Sequence, residues 1–157
     1  MSIQALVTTN TGSAASSLQA LEPGALGEGD VTVAVEWSTI NYKDGLALAG
    51  AGIMASYPMV GGIDLAGVVE TSEDPAFKPG DRVLVNGWGL SQTHNGGYAQ
   101  KARVPGAWLI HTPEAFSNRE AMAIGTAGYT AMLCVLALEH GGITPERGDI
   151  LVTGANG

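Results

Sequence analysis

Asp149-Ile150-Leu151-Val152-Thr153-Gly154-Ala155-Asn156-Gly157 is an apolar run that enters a glycine turn. A strand followed by Gly-x-x-Gly is how a dinucleotide-binding βαβ unit begins. Its glycines let backbone N–H groups approach a pyrophosphate, and the next helix turns its positive N-terminus toward it. Neither that helix, nor a second strand, nor a ribose-reading residue comes after it in this sequence. The chain therefore reads as the front part of a longer enzyme. Taken alone, the motif also fits a plain terminal strand, and the residues before it decide.

Reading backward from the motif, Pro145 and Gly148 lead into this strand, and Gly141-Gly142 ends a helix. Ser117-Asn118-Arg119-Glu120 is a capping box: the serine hydroxyl takes the N3 amide while the glutamate reaches back. Apolar residues continue through Ala121–Leu138, and Gly125 and Gly128 are expected to break them into two helices. Cys134, within Leu133-Cys134-Val135, reads as a small core side chain.

Before Pro113 the pattern is different. Period-two or β-rich stretches recur at Ile3–Thr8, Asp30–Ile40, Ile63–Thr71, Arg82–Asn86, Tyr98–Val104 and Trp108–His111. Clusters such as Glu22-Pro23-Gly24, Lys78-Pro79-Gly80-Asp81 and Asn95-Gly96-Gly97 separate them. Short strands so punctuated predict a closed or partly closed β body. One short helix is expected at Lys43–Ala49, and Thr11–Ser17 reads as a surface loop. The change of character places a domain boundary near residues 115–125.

The 157 residues suit one domain, or one domain and part of another. A hydrophobic share of 45% with 14% charged residues is core-forming. A net charge of −8 argues against nucleic acid and anionic membrane as partners. Uninterrupted apolar runs fall short of a membrane span, and Ser2-Ile3-Gln4 opens as a strand, not as a signal peptide. The single cysteine cannot form an internal disulfide, which agrees with a cytoplasmic protein.

Four segments occur in a specific order: Asn41-Tyr42-Lys43-Asp44, Gly61-Gly62-Ile63-Asp64-Leu65-Ala66-Gly67, Lys78-Pro79-Gly80-Asp81-Arg82-Val83 and Gly125-Thr126-Ala127-Gly128-Tyr129-Thr130-Ala131. Together they resemble the medium-chain dehydrogenase/reductase superfamily. Trp37-Ser38, Gly87-Trp88-Gly89 and Ala121–Gly128 narrow the likeness to its zinc-free, quinone-oxidoreductase-like YhdH/YhfP branch, which includes acryloyl-CoA reductases. The resemblance implies a mostly β GroES-like domain at residues 1–120. Residues 121–157 would then be the linking helices and the first strand and glycine turn of a truncated α/β Rossmann domain. It also implies NADPH as cofactor, a small acyl-CoA as substrate, a homodimer for the full-length enzyme, and no metal. Where zinc-dependent relatives place ligands, this chain has Asn41, Ile63 and Ala123, none of which supplies a strong zinc ligand.

Within this resemblance Tyr42, Asn41 and Asp44 are the candidate catalytic residues. Tyr42 can hydrogen-bond cofactor or substrate and deliver a proton, or be a packed aromatic. Asn41 can donate to a developing enolate oxygen, or cap the following helix. Asp44 lies in the first turn of that helix, where the dipole favours a carboxylate. Tyr42, Thr126, Thr130, Gly154, Ala155, Asn156 and Gly157 are the candidate cofactor-binding residues. The threonine hydroxyls can meet the nicotinamide carboxamide, or bond the preceding helical turn. Asp64, between Ile63 and Leu65, reads as a buried carboxylate that needs partners. His94 reads as a solvated loop histidine, with a substrate-facing role as the alternative.

The implied reaction is NADPH-dependent reduction of acryloyl-CoA to propanoyl-CoA. A quinone or enone reductase on the same scaffold is the first alternative. A non-catalytic, truncated GroES-like module is the second.

Overall fold

The computed structural model describes residues 2–9 and 15–154. Its strands are β1 (Ile3–Thr9), β2 (Ala15–Leu21), β3 (Val31–Trp37), β4 (Met59–Val60), β5 (Asp64–Ser72), β6 (Arg82–Asn86), β7 (Lys101–Val104) and β8 (Ile110–His111). Among the described residues, two α-helices, α1 (Tyr42–Leu48) and α2 (Asn118–His140), and three short 3-10 helices, Pro23–Leu26, Gly106–Trp108 and Pro145–Arg147, complete the fold. The strands form an antiparallel sheet of order β2-β1-β4 and another of order β7-β3-β5-β6-β8.

Alternation along β5 and β6 explains how the larger sheet covers two layers. Leu65, Val69, Val83 and Val85 point into the main core with Val31, Val33, Leu90 and Val104. Ala66 and Leu84, on the opposite face, pack under Ala121 and Met122 of α2. The expected strand Tyr98–Val104 divides its pairing. Tyr98 and Gln100 bond β1 through Leu6 N→Tyr98 O (2.8 Å) and Gln100 N→Gln4 O (2.9 Å), and from Lys101 the chain pairs with β3. This segment links the two sheets and gives the partly closed body that the punctuation predicts.

Several expectations change. Ala15–Leu21 is a strand, so the loop reading of Thr11–Ser17 fails at its last three residues; residues 11–14 lie outside the described residues. This edge strand is mostly exposed and has no apolar alternation, and only pairing with β1 defines it. The helix expected at Lys43–Ala49 begins and ends one residue earlier. Gly125 bends α2, with φ 51° and ψ −164°, whereas Gly128 stays helical. Asp149–Thr153 forms no strand among the described residues: Leu151 is 88% exposed, and no neighbouring strand takes its backbone hydrogen bonds.

Cys134 is exposed, not in a core, because it lies on the part of α2 beyond the bend, most of which is exposed. The same helix corrects the reading of the apolar runs. Its best 18-residue window has mean hydropathy 1.8, long and apolar enough by length and composition to cross a bilayer. Its bend at Gly125 and the burial of Ala121, Met122 and Gly125 against the β body show how its first turns are used here.

Candidate active site

The chain leaves β3, turns at Asn41 and starts α1 with Tyr42. Asp44, in the first helical turn, reaches back so that Asn41 N donates to its Oδ2 at 2.8 Å. Its Oδ1 accepts from Ile63 N at 2.9 Å and holds the entry to β5 against the helix. The Asp44 side chain is thus buried and engaged on both oxygens.

Asp64 opens β5 and is fully buried. Removing a carboxylate from water is costly unless donors surround it. Four do so. Asn86 Nδ2 donates to Oδ1 at 3.0 Å and Thr126 Oγ1 to the same oxygen at 2.5 Å. Asn41 Nδ2 donates to Oδ2 at 2.9 Å and Thr126 N at 3.0 Å. Asn41 Nδ2 also lies 3.1 Å from Asp44 Oδ2, so one amide group bridges two buried carboxylates. Antiparallel register sets Asn86 directly opposite Asp64.

Tyr98 closes the cluster from below. Its hydroxyl donates to Thr39 O at 2.9 Å. Burial, followed by the charges of Asp44 and Asp64, holds the phenol well above the usual tyrosine range, so it stays a protonated donor.

Tyr42 is 85% exposed, and its phenol is free to meet a ligand. Thr130 is also exposed, one turn beyond Thr126. A groove of about 400 Å³ runs beside Asn86, lined by Leu84, Trp88, Trp108, Ile110 and Tyr129. A second cavity of about 270 Å³ continues it past Pro113, Phe116 and Met132, again with Tyr129 on its wall. Both are apolar with a polar group at one side, the usual composition of a small-molecule site.

The structure brings Asn41, Asp44 and Thr126 together around Asp64, and leaves Tyr42 and Thr130 exposed, neither of them lining the groove. The Thr126 hydroxyl meets a carboxylate, a role outside both of those expected for it. Asn41 is the N-cap of α1, in a capping box with Asp44, as the capping alternative expected; the amide nitrogen that the enolate reading needs already lies against Asp44 and Asp64. Gly154 has φ 66° with open space where a side chain would stand, so its backbone is approachable. Ala155, Asn156 and Gly157 lie outside the described residues. At the zinc-ligand points, Asn41 faces the carboxylates, Ile63 is buried and Ala123 is exposed.

His94 is not a solvated loop residue. Its Nδ1 lies 2.9 Å from Asn95 O and its Nε2 lies 2.7 Å from Glu28 O, with the ring edge-on to Trp108. Sequence reasoning gave no site role to Asn86, Trp108 or Tyr98. The one sequence signal for Asn86 was a polar residue closing an apolar strand.

The fold is that of a known class: the chain belongs to the alcohol dehydrogenase GroES-like domain family, whose pattern matches residues 27–114. Within the medium-chain dehydrogenase/reductase superfamily it stands in the YhdH/YhfP branch. It is 57% identical to the acrylyl-CoA reductase AcuI of Ruegeria pomeroyi, over 82% of this chain and 39% of that protein. It is 49% identical to YhfP of Bacillus subtilis, provisionally named a quinone oxidoreductase, over 81% of this chain and 39% of that protein. Among solved structures, the YhdH oxidoreductase of Salmonella enterica in complex with NADP matches with a TM-score of 0.95 at 52% identity, covering 98% of this chain and 48% of that one. The chain thus spans less than half the length of each of these relatives.

Proposed function

We propose that this chain supplies the substrate-facing part of an NADPH-dependent reductase of small α,β-unsaturated acyl-CoA esters, with acryloyl-CoA giving propanoyl-CoA. The observation that carries the reading is the 57% identity to an acrylyl-CoA reductase over 130 residues. In this reading residues 1–120 are the GroES-like domain. Residues 121–157 are the linking helices and the opening strand and glycine turn of a nucleotide-binding domain. The exposure of Ile150, Leu151 and Val152 supports that division, since an apolar segment of this kind becomes a stable strand only when neighbours cover it.

The residues present fit NADPH. Gly154 offers the left-handed, unobstructed backbone that close approach of a pyrophosphate requires. Thr126 keeps its hydroxyl lone pairs for a carboxamide N–H while its proton is given to Asp64. Thr130 adds a free hydroxyl on the same helix. The bound cofactor supplies a hydride to the substrate's β-carbon.

The chain's own groups then handle charge and the proton. Tyr42 donates toward the thioester enolate or its α-carbon from its exposed position at the start of α1. Asn41 and Asp44 hold Tyr42 at the start of α1, through the capping bonds and the bridge to Asp64. The apolar groove beside Asn86 takes the short acyl chain.

Incubation of the whole protein with acryloyl-CoA and NADPH deuterated at C4 tests this reading. Propanoyl-CoA carrying deuterium on its β-carbon is expected. Absence of reduction, or label at the α-carbon, contradicts it. The name given to the Bacillus relative favours one second reading, a quinone or enone reductase using the same groove.

A further inference from the structure

The bend in α2 divides the helix into two differently held parts. Before it, Asn118 donates to Glu36 Oε2 at 2.8 Å and to Gly67 O at 3.3 Å, and Ala121 and Met122 are buried on β5 and β6. Beyond it, most residues are exposed. Among the described residues, the hydrogen bonds joining residues 126–140 to the β body come from Thr126 alone. Both end on Asp64: the amide on Oδ2 at 3.0 Å and the hydroxyl on Oδ1 at 2.5 Å. One helical turn further, Tyr129 forms a wall of both cavities of the groove, opposite Asn86, Trp88 and Ile110.

Gly125 makes this arrangement possible. Its φ of +51° is open to glycine, and an added Cβ would sit 2.9 Å from Thr39 Cγ2 and 3.3 Å from Asp64 Oδ2. A glycine bend therefore lies immediately before the two bonds that fix the rest of the helix. Asp64 is held in turn by Asn41 and Asn86, so its oxygens cannot turn to accompany a moving helix.

We propose that Asp64 and Thr126 form a latch that fixes the far part of α2 and, through Tyr129, sets the shape of the substrate groove. Asp64 is thus a positioning residue: it touches neither substrate nor cofactor, and it acts through Thr126. The groove's role as a substrate site rests on the proposed reductase function; the latch itself does not.

Hydrogen exchange and kinetics on the whole protein test the two parts separately. Thr126→Val removes the hydroxyl bond and keeps the volume. Amides at 126–130 are expected to exchange about tenfold faster, with those of β5 and β6 unchanged. The kcat/KM for acryloyl-CoA is expected to fall about tenfold, chiefly through KM. Thr126→Ser, which restores the hydroxyl, should return both readouts close to wild type. Asp64→Asn, which removes an acceptor but keeps the shape, should reproduce the local change in exchange. Wild-type exchange at 126–130 in Thr126→Val overturns the latch. So does an increase spread equally over β5 and β6, which marks general loss of stability. Wild-type protein inactive on acryloyl-CoA refutes the reductase reading instead, and the exchange result still decides the latch.

Discussion

Trp88 stacks on Trp108, with ring centroids 6.3 Å apart and planes only 8° from parallel. Trp88 is 63% exposed and adopts a left-handed φ of 53°, a conformation that a bulky residue rarely takes. The pair closes the groove beside Asn86. Such a wall suits a short acyl chain and opposes a longer one. Trp88→Ala should therefore raise the kcat/KM ratio of crotonyl-CoA to acryloyl-CoA about tenfold, the effect of accommodating one carbon in an apolar pocket. An unchanged ratio would place the acyl chain elsewhere.

Tyr42→Phe should lower kcat/KM for acryloyl-CoA by roughly tenfold to a hundredfold, the loss of one hydrogen bond used in the transition state. Because Tyr42 is exposed, the melting temperature should stay near wild type. Unchanged kinetics would remove Tyr42 from the site. A large loss accompanied by unfolding would assign it a packing role.

Gly125→Ala tests the bend. The strained backbone should cost about 1–3 kcal/mol, and the crowding against Thr39 Cγ2 adds to this. Thermal unfolding should shift down by several degrees. Gly128→Ala should be better tolerated, since its backbone is helical and carries no left-handed strain, and the remaining cost is the shift of Ile124 Cγ2, 2.8 Å from the added Cβ. Equal tolerance at both positions would show that the bend is not required.

Tyr98 gives the chain an alkaline limit. Burial first, then the charges of Asp44 and Asp64, raise the phenol above its ordinary value of 10.0. The folded chain then keeps a proton that the unfolded chain releases, so the stabilisation is complete below about pH 10 and is lost as pH rises above it. Denaturant titrations between pH 8 and about pH 11 should show stability falling above about pH 10. Tyr98→Phe should flatten that fall, while losing about 1 kcal/mol at neutral pH with the bond to Thr39 O. Parallel pH profiles for the two proteins would contradict this.

Sequence range separates the legible features from the hidden ones. Period-two alternation marked β1, β5 and β6 because one or both faces of each strand are buried. It missed β2, whose exposed Ala15–Leu21 has no apolar face to read. The setting of Ile63-Asp64-Leu65 announced a buried carboxylate in need of partners, but not which ones. Asn86 and Thr126 lie 22 and 62 residues away along the chain, and only strand register and helix packing bring them to it. Gly125 and Gly128 look alike as helix breakers. Contact with Thr39 and Asp64 exists only at the first, and that is where the helix bends.

The proposed reductase acts on a substrate that carries its own electron sink, a thioester conjugated to a C=C bond. Quinones also carry one, and they are the substrates that the name of the Bacillus relative indicates. The deciding measurement is kcat/KM of the whole protein with NADPH for acryloyl-CoA, crotonyl-CoA and a benzoquinone under one set of conditions. Acryloyl-CoA is expected to be preferred by at least about a hundredfold over benzoquinone, a difference of roughly 2.7 kcal/mol in transition-state binding. A benzoquinone reduced more efficiently than both CoA esters would contradict the account.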